Sequence, residues 1–412
     1  MRRSAPLIFG LSLLAQVATA QVTVQHGDTL SGLINNLYGG NGIQLKDTGH
    51  QAHFGQTGDL QAFTSTLQHV LQSHSLFPIP SAVGLVSYRF NEQTGTYDRV
   101  QGSLGPLLAD RGATTGKGTF TISGTYSFSD FDRVNGRDSI DLVLRHCLEP
   151  ECILGGNPAA PYLTDTIHVN VKFRLKSQAL TLSTVYGVSN NVDVGLVVPY
   201  IRNDLQVSSN AIIVQGPNSI CCAHLFDPSI ETPGQYGTGT AIGIGDIVAR
   251  GKVRILPKMA NLDSAILADV TLPTGDKENF LGSGELRAKL TYVGSVKIRK
   301  LIPHVNVGYE ANFKESKLST IDYRVGSEYV LRDSVTLSGE LLGIARPSSG
   351  GLFQSSVLVG RPLVARSEID GAIGGKWQLS KNRAFLFDFI VPLNDTGIRA
   401  SSVVTVGIQG TM

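Results

Sequence analysis

The chain has no internal run approaching the roughly 18 to 20 consecutive apolar residues that a membrane-spanning helix needs. Charge is also sparse. Only 17% of the 412 residues are Asp, Glu, Lys or Arg, and they balance to a net +2, which leaves no field to gather nucleic acid or anionic lipid. Cysteines number four. Cys147 and Cys152 fall in one loop, Cys221 and Cys222 in another. Their C-x4-C and vicinal spacings lack the C-x2-C of a structural zinc site, and His146 and His224 beside them do not complete one. Disulfides formed in an oxidising compartment are the better reading. No cofactor and no metal site is expected.

The N-terminus points to that compartment. Arg2 and Arg3 precede a mostly apolar stretch, 6–15, and Ala18-Thr19-Ala20 offers a small-x-small cleavage site. Residues 1–20 therefore read as a signal peptide, with the mature chain starting at Gln21.

What fills the chain instead of helices is period-two alternation. Strands place successive side chains on opposite faces. In residues 285–299, Glu285, Arg287, Lys289, Thr291, Ser295, Lys297 and Arg299 share one face and Leu286, Ala288, Leu290, Tyr292, Val296 and Ile298 the other. The pattern returns in 119–131, 166–188, 192–202, 244–256, 261–272, 303–313, 320–331, 334–345, 366–379, 383–393 and 398–410, twelve segments in all. Several exceed ten residues, and short and long links alternate between them, as in an outer-membrane barrel with short periplasmic turns and long outer loops. The fold class expected is all-β, a transmembrane up-and-down antiparallel barrel of about twelve strands over 118–412. A hairpin of 84–90 with 97–104 would raise the count to fourteen. In 166–188 the apolar parity changes from odd (Ile167, Val169, Val171, Phe173) to even (Leu180, Leu182), which predicts a bulge at 176–178.

The aromatic-rich face (Phe128, Tyr186, Tyr200, Tyr309, Phe313, Tyr329, Trp377, Phe385, Phe387) suits lipid, with aromatics near strand ends. The other face is the candidate lumen: Arg250, Lys252, Arg254, Asp269, Glu285, Arg287, Lys289, Lys297, Arg299, Glu310, Arg324, Glu328, Glu340, Asp370 and Asp388, with Lys172 and Arg174 on the same side by parity. The signs match closely, so cross-strand ion pairs are expected rather than a sharply ion-selective pore. Loop 273–284 is a candidate constriction through Asp276, Asn279, Phe280 and Leu281, against the alternative of an exposed turn.

Residues 21–117 differ in texture. Residues 59–75 show helical spacing (Leu60, Phe63, Leu67, Val70, Leu71), and the segment is either a lumenal plug or a periplasmic extension. The opening of 22–39, through Gly27-Asp28-Thr29-Leu30-Ser31, resembles a LysM module without its closing half. Residues 112–118 imitate a phosphate loop one residue short and read as a flexible link. His304 with Asn306 invites comparison with an outer-membrane phospholipase, yet no serine accompanies them. Glu368 and Asp370 read as ion-pairing carboxylates. No catalytic constellation emerges, and a non-enzymatic barrel is expected.

The stretch 186–200 (YG, then DVG, then PY), Gly245-Asp246-Ile247, the LPTGD of 272–276 followed by 279–284, and Pro303-His304-Val305-Asn306-Val307-Gly308-Tyr309-Glu310 together resemble the MetA-pathway phenol-degradation family. The resemblance covers roughly residue 117 to the end. It implies an outer-membrane barrel that passes small, often aromatic or hydrophobic solutes, with lipid, the solute and the barrel assembly machinery as partners and no nucleic acid. One departure is the terminal Gly410-Thr411-Met412, where such barrels commonly finish on an aromatic residue. The rival expectation is a structural or surface-recognition barrel with a shut lumen.

Overall fold

A computed structural model of the chain describes residues 23–24, 29–37, 43, 45–46, 87–91, 93–100, 103–145, 165–216, 224–226, 234–255, 262–347 and 367–412. The signal peptide, the helical spacing of 59–75 and all four cysteines lie outside the described residues.

The chain begins with a short strand β1 (Thr23–Val24), a one-and-a-half-turn helix α1 (Leu30–Asn35), and a hairpin of β2 (Ser87–Asn91) and β3 (Thr96–Val100). Strands β4 (Phe120–Val134), β5 (Ile140–Arg145), β6 (Thr166–Gly187), β7 (Val192–Val214), β8 (Gly234–Ile244), β9 (Ile247–Ile255), β10 (Leu262–Leu272) and β11 (Arg287–Val296) follow. The remainder are β12 (Leu301–Asn312), β13 (Thr320–Arg332), β14 (Val335–Ala345), β15 (Ser367–Ser380), β16 (Arg383–Pro392) and β17 (Ile398–Thr411). Starting at β4 and passing through β6, β7 and β9 to β17, each strand pairs antiparallel with the next. β17 then pairs with β4, so the wall closes on twelve strands. The β2–β3 hairpin forms its own two-stranded sheet, and the fourteen-strand alternative does not arise.

Closure explains why alternation is so regular. A closed wall has no edge, and every residue on it must choose between lumen and surroundings. Leu290, Tyr309, Ile373, Trp377 and Ile408 point outward and are exposed, and with their neighbours they form the apolar band of a membrane barrel.

β6 departs from its expected form. No bulge occurs: its 22 residues pair with β7 without a register shift, and burial alternates from end to end. What changes is the surroundings. Near the end with short turns, Leu180, Leu182 and Tyr186 face outward into the apolar band and Ala179, Thr181 and Ser183 face inward. Toward the end with long loops, Ile167, Val169, Val171, Phe173 and Leu175 face inward and are buried. A tilted strand crosses hydrocarbon in about 9 to 11 residues, so roughly half of β6 stands beyond it. There the outward face meets water, and Lys172 and Arg174 lie outside the barrel, with 58% and 50% of their side chains exposed.

β7 likewise runs on past the expected end at Arg202, because Leu205, Val207 and Ala211 continue the inward parity. Its first half pairs with β9 and its second with β8. β8 and β9 are one strand interrupted at Gly245-Asp246. Much of the expected long link 203–243 is therefore tall wall, joined by β5 on β6 and by β1 on β8. The main hydrophobic core lies inside this tall wall, where Leu30, Leu33 and Ile34 of α1 meet Leu205, Val207 and Phe280.

Candidate functional site

The inner wall of β9 to β13 carries many charged side chains, and they are braced across strands. Arg250 on β9 and Asp269 on β10 are register partners and form a double hydrogen bond at 2.7 and 3.0 Å. Arg254 meets Asp263 at 2.5 Å, Arg287 meets Glu310 at 3.0 Å and Arg346 meets Glu368 at 2.6 Å. Arg399 pairs with Asp370. Glu285 accepts Asn312 Nδ2 at 2.5 Å, and Lys289 lies beside Glu310 in register. Unpaired charges in so enclosed a space would be costly, and pairing offsets much of the desolvation. Two candidates fall elsewhere. Lys297 and Arg299 are exposed on the short turn between β11 and β12, where Arg299 adopts φ 56°. β11 ends at Val296 because the chain turns back through the Ile298–Leu301 bridge.

Residues 103–116 enter the lumen from the short-turn end, and every one of them is buried. The segment forms an arch that belongs to no strand of the wall. Leu104 N–H donates to Thr336 Oγ1 at 3.0 Å. The Glu340 carboxylate accepts from the N–H groups of Leu107, Leu108 and Ala109 at 2.8–3.3 Å. Asp110 exchanges two hydrogen bonds with the Asn306 amide, at 2.7 and 3.0 Å, and its carboxylate meets Arg250 at 3.4 Å and Lys252 at 3.8 Å. Arg111 pairs with Glu328, and Arg324 donates to Leu108 O. On the return, Gly112 N–H reaches Ser295 Oγ, and Thr115 donates twice to Asp193.

Glu328, Glu340 and Arg324, three of the residues that alternation assigns to the inner face, have their partners in the arch. The stretch 112–118, which reads as a flexible link, is instead tied down over 112–117 by these bonds and by Thr114 and Lys117 on Asn190. The sequence signal for the arch was faint: Asp110 and Arg111 are a charged pair within a run of Leu, Gly, Ala and Thr that has no period. His304 lies between the two arch-holding carboxylates, 3.9 Å from Glu328 and 3.8 Å from Glu340. Glu368 and Asp370 are each engaged by an arginine.

The loop between β10 and β11 turns inward at the opposite end. Asp246, at the β8–β9 break, accepts Gly275 N–H at 3.0 Å, Ser283 N–H at 2.8 Å and Ser283 Oγ at 2.7 Å. Asp276 caps a short 3-10 turn, accepting from Glu278 N–H and from Asn279 Nδ2. Phe280 and Leu281 are then driven inside, 1% and 2% exposed, with Asn203 donating to Phe280 O at 2.8 Å. α1 is seated on this loop: Leu30 N–H donates to Asn279 Oδ1 and Ser31 Oγ to Glu278. The part of 22–39 that resembled a LysM opening thus supplies a helix capped by Thr29 and packed into the barrel mouth.

The residues that hold this loop and the arch include those of the motifs read from the sequence. Residues 157–340 match the family model described as "Putative MetA-pathway of phenol degradation". That span runs from before β6 through Glu340 and contains Asp246, the inward loop and His304. No curated protein matches the chain. Among solved structures, an outer membrane channel from Pseudomonas putida F1 is 13% identical, with a TM-score of 0.43 over 73% of this chain and 97% of that one. A TodX monoaromatic hydrocarbon channel mutant gives 10%, 0.35, 72% and 90%, and the NanC porin 6%, 0.36, 71% and 98%. At such scores none of these likenesses transfers a solute to this chain.

Proposed function

We propose that this chain is a passive outer-membrane channel for small hydrophobic or aromatic solutes, with residues 103–117 as its plug. One observation carries the reading. The arch fills part of a polar lumen through side-chain hydrogen bonds and ion pairs, so it can leave without breaking any strand pairing of the wall. Bonds of this kind are individually modest, about 0.5–1.5 kcal/mol for neutral pairs and 1.5–3 kcal/mol to charged groups. The family description names phenol degradation, which agrees with an aromatic solute. In this reading the protein reaches the outer membrane of a Gram-negative bacterium after cleavage at residue 20, is inserted by the barrel assembly machinery, and meets lipid with its apolar band.

Single-channel recording in a planar bilayer tests the reading. The full chain is expected to show rare or small openings and a chain lacking 21–117 to conduct steadily. A second reading, a non-conducting structural barrel, draws on the burial of inward side chains such as Thr405, Gln409 and Leu386. Silence from both chains would establish that reading and remove the channel.

A further inference from the structure

The arch is bonded to β7, β9 and β11–β14. The inner faces of β17, β4 and β6 have a different chemistry. The five inward residues of β4 from 121 to 129 are all Ser or Thr. β6 adds Ser177, Thr181 and Ser183, and β17 adds Thr405. No ionisable side chain faces inward over 121–129, 177–185 or 403–411. The hydroxyls of Ser123 and Ser183 are 2.6 Å apart and those of Ser127 and Thr405 3.0 Å, so the strip is bridged between strands at two places.

Part of that strip is unsatisfied. Thr125 Oγ1, Ser177 Oγ and Thr181 Oγ1 are buried without a hydrogen-bond partner, and so is Asp388 Oδ1 on the neighbouring β16. These residues are 1–2% exposed. Buried polar groups without partners cost free energy, and a native structure retains them for a reason. β6 shows that this composition is not required by packing. Where its inner face joins the main hydrophobic core it carries Ile, Val, Phe and Leu, and only at membrane depth does it change to Ser, Ala and Thr.

We infer that the inner face of β17, β4 and β6 is the lane along which this channel selects its solute, and that it favours small uncharged molecules bearing a hydroxyl group. A hydroxyl both donates and accepts, so Thr125 and Thr181 match a solute hydroxyl in either sense. Over these stretches the three strands offer no charge of their own to an ionic solute that has shed its water. The charges beside them are Asp388 of β16 and Lys376 of β15, whose Nζ donates to Gln409 of β17 at 3.3 Å. The inference rests on the channel reading and adds the solute class to it.

The test is uptake of radiolabelled benzyl alcohol and ethylbenzene, which differ by a hydroxyl in place of a methyl. The full chain is expressed in a Gram-negative host lacking its own channels for them. The unaltered protein should raise benzyl alcohol uptake more than ethylbenzene uptake. The triple variant Thr125→Val, Ser127→Ala, Thr181→Val should lose about tenfold of the benzyl alcohol rate and keep that of ethylbenzene. Thr125→Ser, which keeps the hydroxyl, should behave as the unaltered protein, and Thr125→Val alone should fall between. Heat-modifiable migration on a gel verifies that each barrel is folded, and where the triple variant is not, the Thr125→Val and Thr125→Ser pair decides in the same way. An unchanged ratio of the two solutes overturns the lane and leaves the channel standing. No uptake of either solute above the empty host overturns the channel itself, and the lane with it.

Discussion

Arg111 of the lumenal arch is ion-paired with Glu328 of β13, and the Glu328 side chain is wholly enclosed. Ser103 Oγ donates to the same carboxylate at 2.5 Å, so both limbs of the arch converge on one acid. Removing one partner of a buried pair costs about 3–5 kcal/mol, because the other charge is left without compensation. Arg111→Met should therefore release the arch while the twelve-strand wall persists. The expected outcome is a rise in mean conductance with unchanged heat-modifiable migration. Adding Glu328→Met to that variant removes the stranded charge and should return the conductance toward the original level. Equal conductance in all three proteins would detach the arch from gating.

Asp246 ties the inward loop to the β8–β9 break through three hydrogen bonds. Hydrogen bonds to a charged acceptor are worth about 1.5–3 kcal/mol each. Asp246→Ala should free the loop, and Lys277, at 47% side-chain exposure, becomes the point to watch. Trypsin cleavage after Lys277 in intact protein should accelerate at least about tenfold, since 1.4 kcal/mol already corresponds to a factor of ten. Cleavage at the original rate would show that Phe280 and Leu281 anchor the loop without Asp246.

The barrel was legible in the sequence because a closed wall forces a choice of face on every residue. The strand 285–299 shows this, with Leu286, Leu290 and Tyr292 outside and Glu285 and Thr291 buried inside. The same code misled for β6. Alternation reports which residues share a face, but not what that face touches. Ile167 and Leu180 are both apolar and lie on opposite faces, one in the inner hydrophobic core and the other in the outer band. A bulge was the economical explanation only while a single environment was assumed for the whole strand. The arch leaves no such trace in the sequence, for a different reason. Residues 103–116 draw their order from side chains such as Glu340 and Asn306, roughly 200 positions later in the chain, and no local period records such contacts.

The outward position of Lys172 separates the two accounts of β6 experimentally. Its side chain is 58% exposed, while Lys376 and Lys252 inside the barrel are 2% and 4% exposed as residues. A membrane-impermeant amine reagent applied to whole cells should label Lys172 rapidly and leave Lys376 and Lys252 unlabelled, as read by peptide mass spectrometry. With a bulge at 176–178, Lys172 would face the lumen and be protected together with them. Labelling of Lys172 from outside also orients the tall wall toward the exterior.

The charged side of the lumen yields the last expectation. Arg250 binds Asp269 across the β9–β10 register and also touches Asp110 of the arch. Matched charges leave little net field along the pore, so the chain lacking 21–117 should pass small cations and anions almost equally. In that background Arg250→Met leaves Asp269 without its strand-to-strand partner, and Asp110 is absent. A single negative charge about 4 Å from a passing ion is worth about 1 kcal/mol even in bulk water, or roughly fivefold. The reversal potential in a potassium chloride gradient should accordingly move toward the potassium potential. Asp269→Asn in the same background should move it the opposite way, because Arg250 then faces the pore alone. If neither variant shifts the reversal potential, ions do not pass along the β9–β10 wall. The conducting space then lies against the hydroxyl-bearing wall of β17, β4 and β6.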